Sequence, residues 1–369
     1  MPRPIRAIIH QNALAHNLQI ARKSAPQHAV FAVVKANAYG HGIERVYSAL
    51  KSADGFALLD IEEAKRLRAL GWTGPILLLE GIFSAQDLFD CTQYQLSFTV
   101  HSARQLQWVR QYPESAQFDI FLKMNSGMNR LGFQPQHYRE VWQSLHECSA
   151  VNSLTHMMHF SDADGERLGQ SGIEAQLKTF ENTIQDLPGE RSMCNSAAIL
   201  RHGSQLSSKT VRAGILLYGS SPDFPQHSIQ DWNLQPSMSL RSEIIAIQDL
   251  QPKQTVGYGS TFQVEQAMKI GIVACGYADG YQRISATGTP VLVNGIRTGT
   301  VGRVSMDMLA VDVTEIENVE IGSEVVLWGK SRFGSILPID DVAQASGTVG
   351  YELMCGVTAR VPFFIETQG

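Results

Sequence analysis

Lys35 closes an apolar run, Val30-Phe31-Ala32-Val33-Val34, and opens the stretch Ala36-Asn37-Ala38-Tyr39-Gly40-His41-Gly42. A parallel strand buried on both faces reads as near-continuously apolar. A lysine at its C-terminal end therefore stands where barrel enzymes keep their chemistry. An amine held there has one well-defined use, a Schiff base with a carbonyl. The plain alternative is a lysine whose stem packs on the barrel wall and whose ammonium reaches water. Tyr39 offers a hydroxyl close by, and Gly40 and Gly42 let backbone approach a ligand.

Other polar residues stand where later apolar runs stop. Lys123 is followed by Asn125, Gly127 and Arg130; then come His159 and the pair Asn195-Ser196, while Arg212 stands near the start of the last run with Gly214-Ile215 behind it. Taken singly, such a histidine is a buried one with its hydrogen bonds made, and such an arginine is a salt bridge. Taken together around a Schiff-base lysine, they suit an aldehyde cofactor that carries a phosphate. Pyridoxal phosphate (PLP) becomes an electron sink once joined to a lysine. Its phosphate needs hydroxyls and backbone N–H groups, which Ser196, the Gly214-Ile215 amides and Tyr39 can supply. No metal is expected.

The elements that must hold these residues alternate. Strand-like runs recur at Gly55–Leu59, Ile76–Leu79, Leu96–Val100, Phe118–Leu122, Leu154–Phe160, Ser192–Cys194 and Val211–Tyr218. Helical patterns lie between them. Ile43, Val46, Tyr47 and Leu50 share one stripe, as do Tyr138, Val141, Trp142 and Leu145, and Leu177, Phe180, Ile184 and Leu187. Asn12 stands as an N-cap ahead of Leu14 and Leu18. About eight such units point to an α/β chain with a (β/α)8 barrel. A doubly wound sheet is the runner-up, but Lys35 occupies the place of its glycine fingerprint. Pro222, Pro225 and Pro236 punctuate a polar connection, beyond which the pattern changes to short alternating or β-branched runs with glycine turns, and Asn294-Gly295 signals a hairpin. One helical stretch, Pro338–Ser346, interrupts them. The expected division is a barrel over 11–228 and a C-terminal, mainly-β domain over 229–369, to which residues 1–10 add a strand.

Of the 369 residues, 44% are hydrophobic and 18% charged, which indicates a large core rather than a disordered chain. A net charge of −5 without a basic patch excludes nucleic acid as the main partner. No apolar run approaches a membrane span or a signal peptide. Five scattered cysteines without a CxxC pair read as free thiols in a cytoplasmic protein.

Over essentially the whole chain, in order, Ala32–Gly42, Gly127–Gly132, Val211–Gly219, Val256–Gly259, Gly276–Gly280, Gly302–Asp307 and Tyr351–Cys355 resemble the motifs of bacterial alanine racemases, PLP-dependent enzymes of fold type III. The resemblance implies a PLP-binding barrel followed by a β domain. It also implies a homodimer whose active sites are shared between subunits, and interconversion of L- and D-alanine for peptidoglycan. It gives Lys35 the cofactor and the role of one base, and Tyr258 from the partner subunit the role of the other. His159 backed by Arg212 would tune Tyr258, and Arg212 would face the ring nitrogen. Arg130 would bond the phenolic oxygen and, with the Met306 N–H, the substrate carboxylate. Tyr351 would bond the phosphate. Asp164, Tyr277, Arg283 and Arg303 match the entrance channel, and Lys123 the lysine that is carbamylated in several relatives.

Asn125 and Ser305 depart from the aspartate and cysteine common at those positions. A broader racemase for serine or lysine is the nearest alternative on this scaffold. A non-catalytic PLP-binding protein would have the barrel alone. A decarboxylase would carry an acid in place of Arg212.

Overall fold

The computed structural model describes residues 3–112, 117–167 and 169–366, without the side chains of Arg167, Gln170 and Ser171. Met1 and Pro2 of the expected N-terminal segment and 367–369 of the expected β domain lie outside these residues. The chain forms two compact units. One is Asn17–Ala38 with Gly42–Leu217; the other is Met1–His16, Tyr39–His41 and Tyr218–Gly369.

In the first unit, apolar runs become parallel strands because both faces can be buried. The eight-stranded sheet runs in the order Glu190–Ser192, Val151–Met157, Phe118–Lys123, Ser97–Val100, Ile76–Leu78, Gly55–Leu58, Ala29–Val33, Thr210–Ala213. Its two end strands come together: Lys209 N–H donates to Arg191 O at 2.8 Å and Arg212 N–H to Cys194 O at 3.0 Å. The sheet thus closes as the barrel expected. Helices cover it through the stripes read in the sequence. Ile43, Val46 and Leu50 are buried on helix Ile43–Leu50, and Tyr138, Val141, Trp142 and Leu145 on Pro135–His146.

Three local expectations are corrected. Helix Gln11–Ser24 follows strand Arg6–His10 directly, so Asn12 lies inside its first turn and does not cap it. Leu187 falls beyond helix Glu174–Ile184. The run Val211–Tyr218 is a strand only to Ala213, and Ile215–Tyr218 is a 3-10 turn. The cause is Ser196, whose Oγ accepts N–H bonds from Gly214 at 3.0 Å and Leu216 at 3.4 Å and so turns those amides away from the ladder.

In the second unit the long strand Met238–Leu250 pairs with Met268–Val273, Arg6–His10 and Glu324–Lys330. The last pairing closes a ring through Pro290–Val293, Ile296–Val301 and Leu309–Asp312. Asn294 (φ 48°) and Gly295 (φ 81°) make the tight turn between paired Val293 and Ile296, as their types predict. The expected helical stretch is Ile339–Ala345, and a second helix, Gly350–Gly356, follows it.

The segment Tyr39–His41 belongs to this unit through Gly40. At φ 81°, a Cβ on Gly40 would stand 2.3 Å from Met354 O in helix Gly350–Gly356. Gly40→Ala therefore combines a disfavoured φ with a backbone clash, and should lower stability by about 2–4 kcal/mol. Urea unfolding followed by circular dichroism measures this; an unshifted midpoint would show that the helix gives way freely.

Candidate active site

Lys35 follows Val34, whose N–H still donates to Ala57 O at 2.8 Å, so the amine leaves the barrel just where the ladder ends. Lys123 is the last residue of strand Phe118–Lys123, and Arg212 stands within Thr210–Ala213. These side chains act on each other. Burial, then the charges of Arg212 and Arg130, push the Lys123 ammonium down to about 8. Glu80 acts on it in the opposite sense, and Lys35 adds a further repulsion. Burial first, then Arg212, Lys123, Arg130 and Lys35, hold His159 well below its ordinary value. Lys35, Lys123, Arg130 and Arg212 thus all disfavour a charge on the His159 imidazole.

Arg212 is 4% exposed. Its Nη1 donates to Ser192 Oγ at 2.6 Å, and its Nη2 to Met158 O at 2.8 Å and Met193 O at 3.2 Å. The same Nη2 lies 3.5 Å from His159 Nδ1. Burial pushes the guanidinium down to about 10, so it remains charged at neutral pH. A donor facing Nδ1 makes that atom the acceptor and leaves the His159 proton on Nε2.

Asn195 and Ser196 open helix Ser196–His202. The Asn195 side chain caps it, accepting Ala198 N–H at 3.0 Å and donating to Phe160 O at 3.1 Å. Ser196 Oγ accepts the Gly214 and Leu216 amides and keeps its own hydrogen to donate. Asn125 Oδ1 accepts N–H bonds from Asn129 at 2.9 Å and Gly127 at 3.2 Å, shaping the loop that carries Arg130. Lys123, Asn125, Arg130 and His159 line one small pocket there. Asp164, exposed in the same unit, accepts Arg201 Nη1 through its carbonyl at 2.8 Å.

In the other unit Tyr39 packs between two tyrosines, with ring centroids 4.5 Å from Tyr218 and 6.0 Å from Tyr351. Its burial raises the phenol well above the ordinary value, so its hydroxyl is a donor. Tyr258 stands on the turn Tyr258–Ser260 and is 71% exposed. Arg303 passes over that turn, its Nη1 2.9 Å from where a Cβ on Gly259 would be. Tyr277 N–H donates to Ser305 O and Ala278 N–H to Met306 O, both at 3.0 Å. Gly276 makes this approach possible, since its Cβ would meet both carbonyls at 2.4 Å. Met306 is 52% exposed, and Arg283 is exposed as well.

The chain matches the alanine racemase N-terminal domain over residues 9–222 and the alanine racemase C-terminal domain over residues 237–365. It is 71% identical over 363 residues to the alanine racemase of Acinetobacter baumannii (strain SDF), covering 98% of this chain and 99% of that relative. It is 56% identical over 368 residues to the alanine racemase of Polaromonas sp., covering 99% and 100% of the two chains. The crystal structure of biosynthetic alanine racemase from Pseudomonas aeruginosa superposes with a TM-score of 0.92 at 41% identity, covering 99% of each chain. The chain belongs to the alanine racemase family.

Set against this alanine racemase framework, the residues that motif reading passed over are those that hold the chemical groups in place. Ser192 takes one arm of Arg212, Tyr218 backs Tyr39, and Glu63 accepts the Asn37 N–H. Ser192 and Glu63 lie in no motif and Tyr218 lies in one without being singled out, so only contact across the fold reveals their roles.

A folded-state value for His159 below its unfolded value means that the unfolded chain takes up a proton the native site refuses. Stability should therefore fall as pH drops below about 6.5. His159→Gln should flatten that slope when unfolding midpoints are compared between pH 7 and pH 5. An unchanged slope would show that His159 titrates normally.

Proposed function

We propose that this chain interconverts L- and D-alanine with pyridoxal phosphate held on Lys35, using two bases and a site completed by a second copy. The observation that carries the reading is buried Arg212, 3.5 Å from His159 Nδ1, beside a pocket lined by Lys123, Arg130 and His159. Such a site favours a polyanionic guest, and the donor set fits this one. Ser196, the Ile215 amide, Tyr39 and Tyr351 would hold the phosphate, with Gly214 acting through Ser196, whose Oγ takes the Gly214 N–H and is left to donate; Arg212 would hold the ring nitrogen and Arg130 the phenolic oxygen, with His159 and Asn195 as further contacts. When bound, the cofactor supplies the electron sink that weakens the bond to the α-hydrogen.

The chain's own groups then handle the proton. Inverting a carbon needs a base on each face. The Lys35 amine serves one face, and the phenol oxygen of Tyr258 of the partner subunit the other. A tyrosine needs help to act as a base. His159, with Nε2–H outward and Arg212 fixing Nδ1, is built to hold a phenolate by hydrogen bonding. Arg130 and the N–H of the partner subunit's Met306 would hold the substrate carboxylate. Asp164, Tyr277, Arg283 and Arg303 would line the approach. The barrel would span 11–228 and the β domain 229–369. Asn125 keeps the acceptor an aspartate would offer and drops its charge; Ser305 acts through its backbone. Neither departure removes a proton-handling group.

Lys123 fits carbamylation. A lysine near 8 has a share of free amine at neutral pH, which adds CO2, releases a proton and becomes an anion beside Arg130. Among the described residues no helix is long and apolar enough to cross a membrane. No disulfide joins the cysteines among these residues, in keeping with a cytoplasmic enzyme making D-alanine for peptidoglycan.

The purified protein with added cofactor should show a visible band that borohydride removes, and should form D-alanine from L-alanine in a chiral assay. The band without D-alanine would move the substrate to another amino acid, and no band would remove the Lys35 assignment. Tyr258→Phe should cut turnover by about 10^2- to 10^4-fold in both directions while keeping the band. Undiminished turnover would end the two-base reading. Equilibration with 13C-bicarbonate should give a carbamate resonance that Lys123→Ala abolishes; a spectrum without it would leave Lys123 an amine.

A further inference from the structure

Immediately after Lys35 the backbone turns the wrong way for L-residues. Ala36, Asn37 and Ala38 have φ of 54°, 52° and 55° with ψ of 49°, 49° and 55°, a left-handed turn in which every residue carries a Cβ. Asparagine tolerates this conformation, but alanine avoids it. Such a turn persists only where its surroundings over-determine it.

The surroundings are specific. Ala38 N–H donates back to Val34 O, and Gly42 N–H to Asn37 O, both at 2.8 Å. Ile43 N–H donates to Asn37 Oδ1 at 3.3 Å, and two further restraints come from helix Ile61–Ala69. Glu63 Oε1 accepts the Asn37 N–H at 2.5 Å, and Arg66 Nη2 donates to Asn37 Oδ1 at 2.8 Å. Arg66 is itself fixed by Glu44 through Nε to Oε1 at 2.7 Å and Nη2 to Oε2 at 2.6 Å. Glu63 and Arg66 sit one helical turn apart, so both reach the same short segment. The other Glu63 oxygen, Oε2, is buried without a hydrogen-bond partner. Burial raises the Glu63 carboxyl above its usual range. A glutamate on a helix surface could turn both oxygens to water, so one held inward with half its acceptors unused is serving the group that the other half meets.

We propose that Glu63 is a positioning residue for Lys35: with Arg66, it clamps Asn37 and so holds the left-handed turn that sets the direction from which the Lys35 amine reaches the reacting carbon. This rests on the reading of Lys35 given above. Exposed ion pairs such as Arg66–Glu44 contribute little to stability by themselves, so the effect should appear in turnover more than in unfolding.

The test uses the holoenzyme and its Glu63→Ala, Glu63→Gln and Arg66→Met variants, each with and without Ala36→Gly. Ala36 is exposed, so glycine there leaves no cavity and removes the conformational penalty alone. Expected for Glu63→Ala is a fall in kcat of about 10- to 100-fold, the scale of a small misplacement of a reacting group, with KM for alanine within about threefold of the parent. Glu63→Gln, whose amide oxygen can still accept the Asn37 N–H, should keep kcat within about threefold. Adding Ala36→Gly to Glu63→Ala should restore at least about threefold of the lost kcat, because a turn free of strain needs less clamping. Should Glu63→Ala not fold, Arg66→Met with and without Ala36→Gly reports the same rescue.

A kcat for Glu63→Ala within twofold of the parent would overturn the proposal. So would a loss that Ala36→Gly leaves untouched, which is what general damage to the helix would give. A parent enzyme without a borohydride-sensitive band would instead remove the Lys35 reading, before any variant is compared, and this proposal with it.

Discussion

Like charge gathered in a space short of water is the constraint on which the barrel unit is built. Lys35, Arg130 and Arg212 all act on Lys123, and all four act on His159, beside a barrel core of buried hydrocarbon. A buried guanidinium is costly unless its donors are used. Arg212 offsets that cost with two backbone carbonyls and the Ser192 hydroxyl, all three fixed by strand ends. The crowding then shapes what each group can be. His159 cannot add another charge and stays neutral, and Lys123 gives up its proton more readily than a surface lysine. A site of this kind is complementary to an anion before any anion arrives, which is the sense in which electrostatic preorganisation belongs to the protein rather than to its ligand.

Much of this was readable in the sequence because the elements are simple. Ile76-Leu77-Leu78 and Val30–Val33 have no polar residue to turn outward, so each had to be a central parallel strand, and a lysine closing such a run had to matter. Asn294-Gly295 declared its turn through the φ values it tolerates. The errors share one cause. Val211–Tyr218 has the composition of one long strand, but a single hydroxyl, that of Ser196, captures two amides and ends it at Ala213. Asn12 has the type of a cap, but the preceding strand delivers the chain straight into a helix that has already begun. In both places the surroundings, a distant hydroxyl in one and the adjoining strand in the other, overrule local preference.

The left-handed turn after Lys35 was not readable at all. Ala36-Asn37-Ala38 contains two good formers of right-handed helix and no glycine, so composition argues against what the backbone does. The cost of the wrong hand is about 1–2 kcal/mol per residue. Among the groups that hold it are Glu63 and Arg66, on a helix whose own sequence announces only Asp60 as its cap. Tyr39, by contrast, was readable as a hydroxyl donor but not as part of a stack with Tyr218 and Tyr351, since those rings lie far apart along the chain.

The departures at Asn125 and Ser305 show which part of such a site tolerates change. Asn125 contributes an oxygen that accepts two amides, and an amide oxygen does this as well as a carboxylate does. Ser305 contributes its carbonyl to Tyr277 N–H and its own N–H to Met308 O at 2.9 Å, and any side chain leaves those intact. Tyr258, Tyr277 and Met306 are different, because their unit leaves them 71%, 37% and 52% exposed, with little inside it to hold them. On the proposed reading, their surroundings come from a second copy. A phenol serves as a base only with help from its neighbours, and on that reading the help comes from His159, with Arg212 behind it. That division places the tuning groups in one unit and the tuned group in the other, so assembly would switch the second base on.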